Sequence, residues 1–391
     1  MSIASFTLEA LDGRARRGRV STHRGTFPTP CFMPVGTRGA VRLLDSTDLD
    51  ALGPAVVLAN TYHLMLRPGA ETVAALGGLH RFTGRDGHIL TDSGGYQVFS
   101  LGPKVDAGGV TFRSTYDGSL HRLTPEDAVR TQELLGADIQ MALDICPGLP
   151  APDATVRAAM DRTLEWAARA RPVHRRDDQC LFGIVQGGIN PEWREESALA
   201  TAALDFDGYG IGGLSVGEPL EQMLPALDAA LGGLPHDRPR YLMGVGDPHS
   251  MVEAVALGVD MFDCVLPTRL ARHGTALSGA GRFQLKAARF AVDDGPLDPD
   301  CPCPVCARWS RGYLRHLFSV GEPTAGRLLT IHNLSWLLGL VERMRAAISA
   351  GTFDELRAEV AAVWDRGSPG VTGIPALQSP SRASGARHPT P

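Results

Sequence analysis

A short apolar run followed by a segment of helical character recurs along this chain. The runs cover residues 31–37, 56–60, 88–92, 139–144, 181–186, 209–214, 241–246 and 261–266, and most of them end in Gly, Asn, Asp or Gln. Runs of this length bounded by turn residues read as buried strands. The stretches between them open on helix signals. Thr124-Pro125-Glu126-Asp127 offers a capping hydroxyl, a proline at the first helical position and an acid three residues on. Asn190-Pro191 and Asp247-Pro248 repeat the cap-then-proline device. Val156, Met160, Leu164 and Ala167 share one face at helical spacing, expected to point into a core. Strand–helix alternation implies parallel strands joined by right-handed crossovers. Eight units predict a closed α/β structure, a (β/α)8 TIM barrel. The alternative is a doubly wound open sheet, but no G-x-G-x-x-G phosphate loop follows the first run.

Three stretches depart from the pattern. Residues 5–30 read as short strands and turns, with 6–10 pairing across the Asp12-Gly13 turn. Residues 110–114 and 119–123 flank Tyr116-Asp117-Gly118 and predict a hairpin inserted after the third strand, a lid or binding flap. Past 267 the alternation stops. Residues 268–320 are basic and cysteine-bearing, and 321–366 carry Leu334, Leu337, Leu338, Val341 and Met344 at helical spacing. The expected organisation is a barrel over 1–267, a metal-binding helical subdomain over 268–366 packed on it, and a disordered tail over 367–391, rich in Pro, Ser, Gly, Ala and Arg.

Composition narrows the class. The 391 residues are 43% hydrophobic and 21% charged, enough to bury a large core. No run of 18 apolar residues suggests a membrane span, and the N-terminal stretch lacks a secretory pattern. A cytoplasmic protein is expected. The net charge of -5 does not announce a nucleic-acid binder, although a local basic face is compatible with it.

Cysteines 301, 303 and 306 are bunched as C-x-C-x2-C, the spacing of thiolate metal ligands in a reducing compartment. Structural zinc takes four S/N ligands, so a fourth comes from elsewhere in the chain. His332 and His316 are the candidates; His316 sits among Arg311, Tyr313 and Arg315. A four-ligand site leaves no open position for water, so one structural zinc per chain is expected.

Barrel enzymes place reactive groups at the C-terminal ends of their strands. Those ends here carry Asn60, Asp92, Asp144, Gln186, Gly212, Gly213, Met243 and Asp263. A carboxylate such as Asp263, in the apolar stretch Met261-Phe262-Asp263-Cys264-Val265-Leu266, is costly to bury unless it is paired or used. Carboxylates converging on one mouth suit the making and breaking of a glycosidic bond, one attacking a sugar carbon and a second moving the proton. In Thr91-Asp92-Ser93-Gly94-Gly95-Tyr96 the glycines allow close backbone approach and Tyr96 offers a stacking face. Arg269 and Arg272 follow the last strand, and Lys286, Arg289, Arg308, Arg311 and Arg315 extend a basic stretch interleaved with Trp309 and Tyr313. That mixture favours a nucleic-acid surface over a plain solvated face.

Long motifs run through these positions: Leu58-Ala59-Asn60-Thr61-Tyr62-His63-Leu64, Thr91 to Phe99, Gly212-Gly213-Leu214-Ser215-Val216-Gly217-Glu218, Tyr241 to Gly246, and Met261 to Arg269. In them, and in the cysteine cluster with His332, the chain closely resembles the bacterial tRNA-guanine transglycosylases over roughly 5–365. The resemblance implies a zinc-bearing barrel that replaces guanine at the wobble position of tRNAs whose anticodon begins with G (GUN), and a homodimer. It implies 7-aminomethyl-7-deazaguanine, the prequeuosine base, as the incoming base. Asp263 is then the nucleophile and Asp92 the general acid/base. Asp92, Ser93, Asp144, Gln186 and Gly213 would bind the base between Tyr96 and Met243. The Leu214 carbonyl, helped by Glu218, would receive the aminomethyl group. Cys146 and Val216 match the bacterial pattern for the smaller base. Arg269, Arg272, Lys286, Arg289, Arg311 and Arg315 would face RNA, and Cys301, Cys303, Cys306 and His332 would hold the zinc. The chain departs from the pattern at Ile145, where the relatives usually carry an acid, which changes the charge beside the pocket.

Three other classes compete. A non-catalytic RNA-binding subunit would not need both Asp92 and Asp263. A carbohydrate glycosidase would not account for the cysteine appendage or the 6% aromatic content. A DNA-modifying relative would share the chemistry.

Overall fold

The computed structural model describes residues 5–365; the tail expected at 367–391 lies outside them. The chain opens with a meander of β1 (Ser5–Asp12), β2 (Ala15–Thr22) and β3 (Gly25–Thr29), turned at Gly13 in the left-handed region with φ 59°. The barrel strands follow as β4 (Cys31–Gly36), β5 (Val56–Ala59) and β6 (His88–Thr91). An inserted antiparallel sheet then forms from β7 (Lys104–Asp106), β8 (Gly109–Arg113) and β9 (Leu120–Leu123). The barrel continues through β10 (Ile139–Met141), β11 (Cys180–Val185), β12 (Gly208–Ile211), β13 (Arg240–Leu242) and β14 (Met261–Cys264). Strands β4, β5, β6, β10, β11, β12, β13 and β14 pair in that order, and β14 pairs back to β4. The closure satisfies both edges of the sheet and aims every strand C-terminus at one mouth. Each of the eight expected runs lies on one of these strands.

Pairing stops earlier than the apolar runs suggest. The run 139–144 is strand only to Met141, and 241–246 only to Leu242. The amides of Ala142 and Met243 still donate to the Phe182 and Ile211 carbonyls of the neighbouring strands, at 2.9 and 3.2 Å, and the ladder ends there. The inserted hairpin gains a third strand, β7, whose three residues are all exposed and give no alternating signal.

Capping follows the sequence. Thr124 and Asp127 form a reciprocal capping box at the helix Pro125–Leu135, and Asn190 and Asp247 cap the helices that begin at Pro191 and Pro248. On the helix Asp153–Ala170, Leu164 is only half-buried, and Trp166 and Ala170 fill the core beside Val156, Met160 and Ala167. The expected helical stretch 321–366 is two helices, Pro323–Ala350 and Phe353–Trp364, separated at Gly351 with φ 71°. The longer one buries Leu334, Leu337, Val341 and Met344 and packs on β1, β2 and β4. One apolar cluster joins Phe32 and Phe262 of the barrel to these residues, so hydrophobic burial is continuous across position 267.

Candidate active site and metal centre

Asp263 sits near the end of β14, opposite Met33 of β4. Tyr241 of β13 donates its hydroxyl to Asp263 Oδ1 at 2.6 Å, and the Gly244 amide donates to the same oxygen at 2.7 Å. Burial pushes this carboxyl up, and the two donors pull against it. Part of the side chain remains open at the mouth.

Asp92 follows β6. Its Oδ1 accepts from the Thr61 amide at 2.9 Å and the Gly94 amide at 3.1 Å, and its Oδ2 accepts from the Asn60 side chain. Gly94 holds φ 77°, which turns its amide back onto the carboxylate. Crowding by protein atoms pushes the Asp92 carboxyl up to about 7 against these donors, and the charges of Asp263 and Asp144 push the same way. Asp263 and Asp144 are thus the carboxylates whose charge is felt at Asp92. A carboxyl poised near neutrality suits proton transfer.

Asp144 is buried and raised to about 6 by desolvation. Gln186 Nε2 donates to its Oδ2 at 2.7 Å and Ser93 Oγ to its Oδ1 at 3.2 Å. Gly212 and Gly213 lie against the Gln186 amide, and a side chain at either would displace it. Cys146, whose thiol burial pushes up to about 12, shares this floor. Beyond it Glu218 accepts from the backbone amides of Ser215 and Val216, fixing a turn in which Ser215 takes φ 61° and Leu214 is buried. Tyr96 is 38% exposed, enough to present a ring face at the mouth, and Met243 is half-buried beside Gly210. Ile145 packs against the apolar cluster that holds Tyr62, Val98 and Phe112, so the position carries an apolar wall and no charge.

Several groups that complete this arrangement gave no usable sequence signal. Arg194 is fully buried without a carboxylate. It donates to the carbonyls of Gly188 at 2.7 Å, Val185 at 3.1 Å, Gly212 at 2.7 Å and Gly213 at 3.1 Å. Desolvation lowers it to about 10. On the sequence it is one charge in the surface-like stretch Glu192–Glu196. Asn60 was legible as a strand-end residue and Tyr241 as the first residue of an apolar run, but not as partners of Asp92 and Asp263.

The basic residues divide. Arg269 and Arg272 lie on the helix Leu266–Arg272 directly after β14, and desolvation lowers Arg272, helped by the charges of Arg42 and Arg269. Lys286 and Arg289 are exposed, over the rings of Phe318 and Phe290. Arg311 pairs with Asp293 at 3.2 Å and donates to the Leu297 carbonyl, and Arg315 donates to the Ala287 carbonyl; both are half-buried and tied to the fold.

Cys301, Cys303, Cys306 and His332 converge with all ligand atoms within 4.8 Å of one another. His332 Nε2 donates to the Leu277 carbonyl at 2.8 Å, which leaves Nδ1 facing Cys306 Sγ at 3.2 Å and Cys303 Sγ at 3.5 Å. A backbone acceptor that fixes the tautomer in this way is the usual support of a metal-bound imidazole. Three sulfurs and one nitrogen fit a single metal ion in a closed tetrahedral site. His316 is exposed on the helix Arg311–Ser319 and takes no part in this cluster.

Comparison with known proteins agrees with this architecture. A family model described as queuine tRNA-ribosyltransferase matches residues 12–366. The chain is 53% identical over 350 residues to a queuine tRNA-ribosyltransferase of Herpetosiphon aurantiacus, covering 89% of each chain. It is 52% identical over 358 residues to one of Thermus thermophilus, covering 91% of this chain and 93% of the relative. It is 50% identical over 363 residues to one of Moorella thermoacetica, covering 92% and 97%.

Proposed function

The chain belongs to the queuine tRNA-ribosyltransferase family, and on that premise we propose that it exchanges guanine at the tRNA wobble position for 7-aminomethyl-7-deazaguanine through an ester between the ribose and Asp263. It is a tRNA-guanine pentosyltransferase of the queuosine pathway. The observation that carries the residue-level reading is the pairing of two carboxyl groups with different environments at one mouth. Asp263 receives both donors on Oδ1, which leaves Oδ2 for the ribose carbon. Asp92 is poised near 7.

In the first displacement Asp263 Oδ2 attacks C1′ and the C1′–N9 bond breaks. Its electron pair leaves with guanine, which takes a proton from Asp92. In the second, the incoming base gives its N9 proton to Asp92, and N9 attacks C1′. The ester bond breaks and restores the Asp263 carboxylate. Protons and electrons balance without a redox partner or nucleotide. The ester must be shielded from water between the two steps, which fits a base held between Tyr96 and Met243.

Asp144 and Gln186 form the polar floor for the guanine-like edge, with Ser93, Cys146 and Gly213 around it. Leu214 and Glu218, with Val216, form the end that takes the aminomethyl group. The RNA would be a tRNA with a GUN anticodon, met by Arg269, Arg272, Lys286 and Arg289, and by Arg311 and Arg315 where their half-buried side chains reach the surface. The metal would be one structural zinc, which holds the segment 301–306 against the helix Pro323–Ala350. No helix of the described residues is long and apolar enough to cross a membrane. A homodimer in the cytoplasm completes the reading by family.

The test is incorporation of radiolabelled guanine into a tRNA with G at the wobble position. Wild type should exchange it, and Asp263→Ala should bind the tRNA without exchange. Full exchange in that variant would remove Asp263 from the chemistry. Competition among guanine, the aminomethyl deazaguanine and queuine then identifies the incoming base.

A further inference from the structure

The segment Asn60–His63 joins two parts of the molecule. Its first two residues hold Asp92: the Asn60 side chain and the Thr61 amide both donate to the carboxyl, and Thr61 Oγ1 donates to the Asp92 carbonyl. Its next two hold the tip of the inserted sheet. Tyr62 OH meets Thr115 Oγ1 at 3.0 Å and accepts from the Thr115 amide at 3.2 Å. His63 Nδ1 lies 2.9 Å from Tyr116 OH. Asn60 Oδ1 also caps the turn by accepting the His63 amide at 3.1 Å, so the four residues move as one unit.

The Tyr116 ring is fixed as well. The guanidiniums of Arg38 and Arg67 lie 5.4 and 4.6 Å from its centroid, and His63 meets it edge-on. The helix Thr61–Leu66 is only six residues long, too short to hold a direction without outside anchors. Its polar anchors are Asp92 on one side and Thr115 and Tyr116 on the other. The sheet that supplies the latter belongs to no barrel strand, and Leu120 at its edge is 64% exposed. Packing of Tyr62 on Phe112 ties the unit to β8 but sets no hydrogen-bond direction.

We infer that His63 and Tyr116 are positioning residues for Asp92, a latch through which the inserted sheet sets the direction of the Asn60 and Thr61 donors. The inference rests on the proposed role of Asp92 in proton transfer. Loss of the latch lets the unit 60–63 rotate and weakens the donors that favour the ionised carboxyl. Asp263 and Asp144, the charges that face Asp92, stay in place.

The test uses the full-length chain and the guanine exchange assay. Tyr116→Phe keeps the ring and its arginine contacts and removes one oxygen. His63→Phe keeps an aromatic ring without the nitrogen, and His63→Asn restores a polar atom near the place of Nδ1. Tyr116→Phe and His63→Phe should lower kcat about 5- to 20-fold with KM for tRNA and base within about twofold. The limb of the pH–rate profile that requires ionised Asp92 should move to higher pH, and His63→Asn should recover most of kcat. Tm and metal content identify any variant that has lost its fold, and Tyr62→Phe, which removes the parallel contact to Thr115, then serves in its place. Unchanged kcat and pH profile in Tyr116→Phe would overturn the latch. So would a rise in tRNA KM alone, which would make Tyr116 an RNA contact. If Asp92→Asn exchanged guanine as fast as wild type, the role of Asp92 itself would fall, whatever the latch variants did.

Discussion

Tyr241 and Asp263 stand on neighbouring barrel strands, and the tyrosine hydroxyl donates to Oδ1 of the carboxylate at 2.6 Å. The ring is fully buried, and burial together with the Asp263 charge holds the phenol well above its usual range. It therefore stays a donor at every working pH, and with the Gly244 amide it turns Oδ2 toward the mouth. Tyr241→Phe should lower kcat for guanine exchange about tenfold, in line with one charge-assisted hydrogen bond of ~1.5–3 kcal/mol in part replaced by relaxation. KM for tRNA should hold. Steady-state exchange kinetics check this; an unchanged kcat would mean that the Gly244 amide suffices.

Asp144 gives a stability prediction with a definite sign. Its carboxyl titrates near 3.8 when unperturbed and is raised to about 6 in the fold. Between those values the native chain keeps a proton that the unfolded chain releases. The contribution to stability is full below about pH 4 and declines as pH rises through about 6. Asp144→Asn escapes that decline. Its stability relative to wild type should rise between pH 4.5 and 7.5 by about 1–2 kcal/mol, seen as a rising difference in Tm, and base binding should be lost. Thermal melts at the two pH values read this. The opposite trend would show that Gln186 and Ser93 outweigh burial and hold the carboxylate.

Arg194 is expected to be structural in effect and local in consequence. Four carbonyls at the ends of β11 and β12 and in the loops beyond them accept from it. Arg194→Met leaves them buried and without that donor, so urea unfolding should show a loss of about 3 kcal/mol or more. Arg194→Lys should recover only part of this, because an ammonium lacks the planar fork. Calorimetric base affinity should fall in both. A variant of wild-type stability would refute the assignment.

For the metal cluster, elemental analysis should find one zinc per chain. Cys303→Ser or prolonged chelation should remove it and lower Tm by about 5–15 °C, since binding free energy at such a site is folding free energy. Melts with and without chelator check this, and an unchanged Tm after complete metal loss would overturn the structural role.

The sequence by itself determined the architecture because its signals are local. Eight apolar runs, most of them ended by turn residues and three of the following helices announced by a cap-and-proline signal, need no knowledge of their neighbours to be read as strand and helix, and eight such units close a barrel. The hairpin around Tyr116 and the C-x-C-x2-C spacing were legible for the same reason. The strand ends were not: residues 143–144 and 244–246 look like strand, and only pairing with the next strand decides where the ladder stops. Strand β7 was missed because three exposed residues carry no periodicity.

The site was decided by tertiary structure wherever one group's meaning depends on another far along the chain. Asp92 reaches about 7 because closure crowds it and brings Asp263 and Asp144 near. Arg194, written among surface charges, is turned inward to carbonyls up to 19 residues away. Arg311 and Arg315 read as free charges until Asp293 and two backbone carbonyls meet them. Asp263 shows both sides of this division. Its place in an apolar strand marked it as a charge with a task, whereas the donors on one oxygen, and so the direction in which the other points, exist only once β13 and β14 lie side by side. Periodicity is written into consecutive residues, but burial and hydrogen-bond partnership belong to the closed barrel.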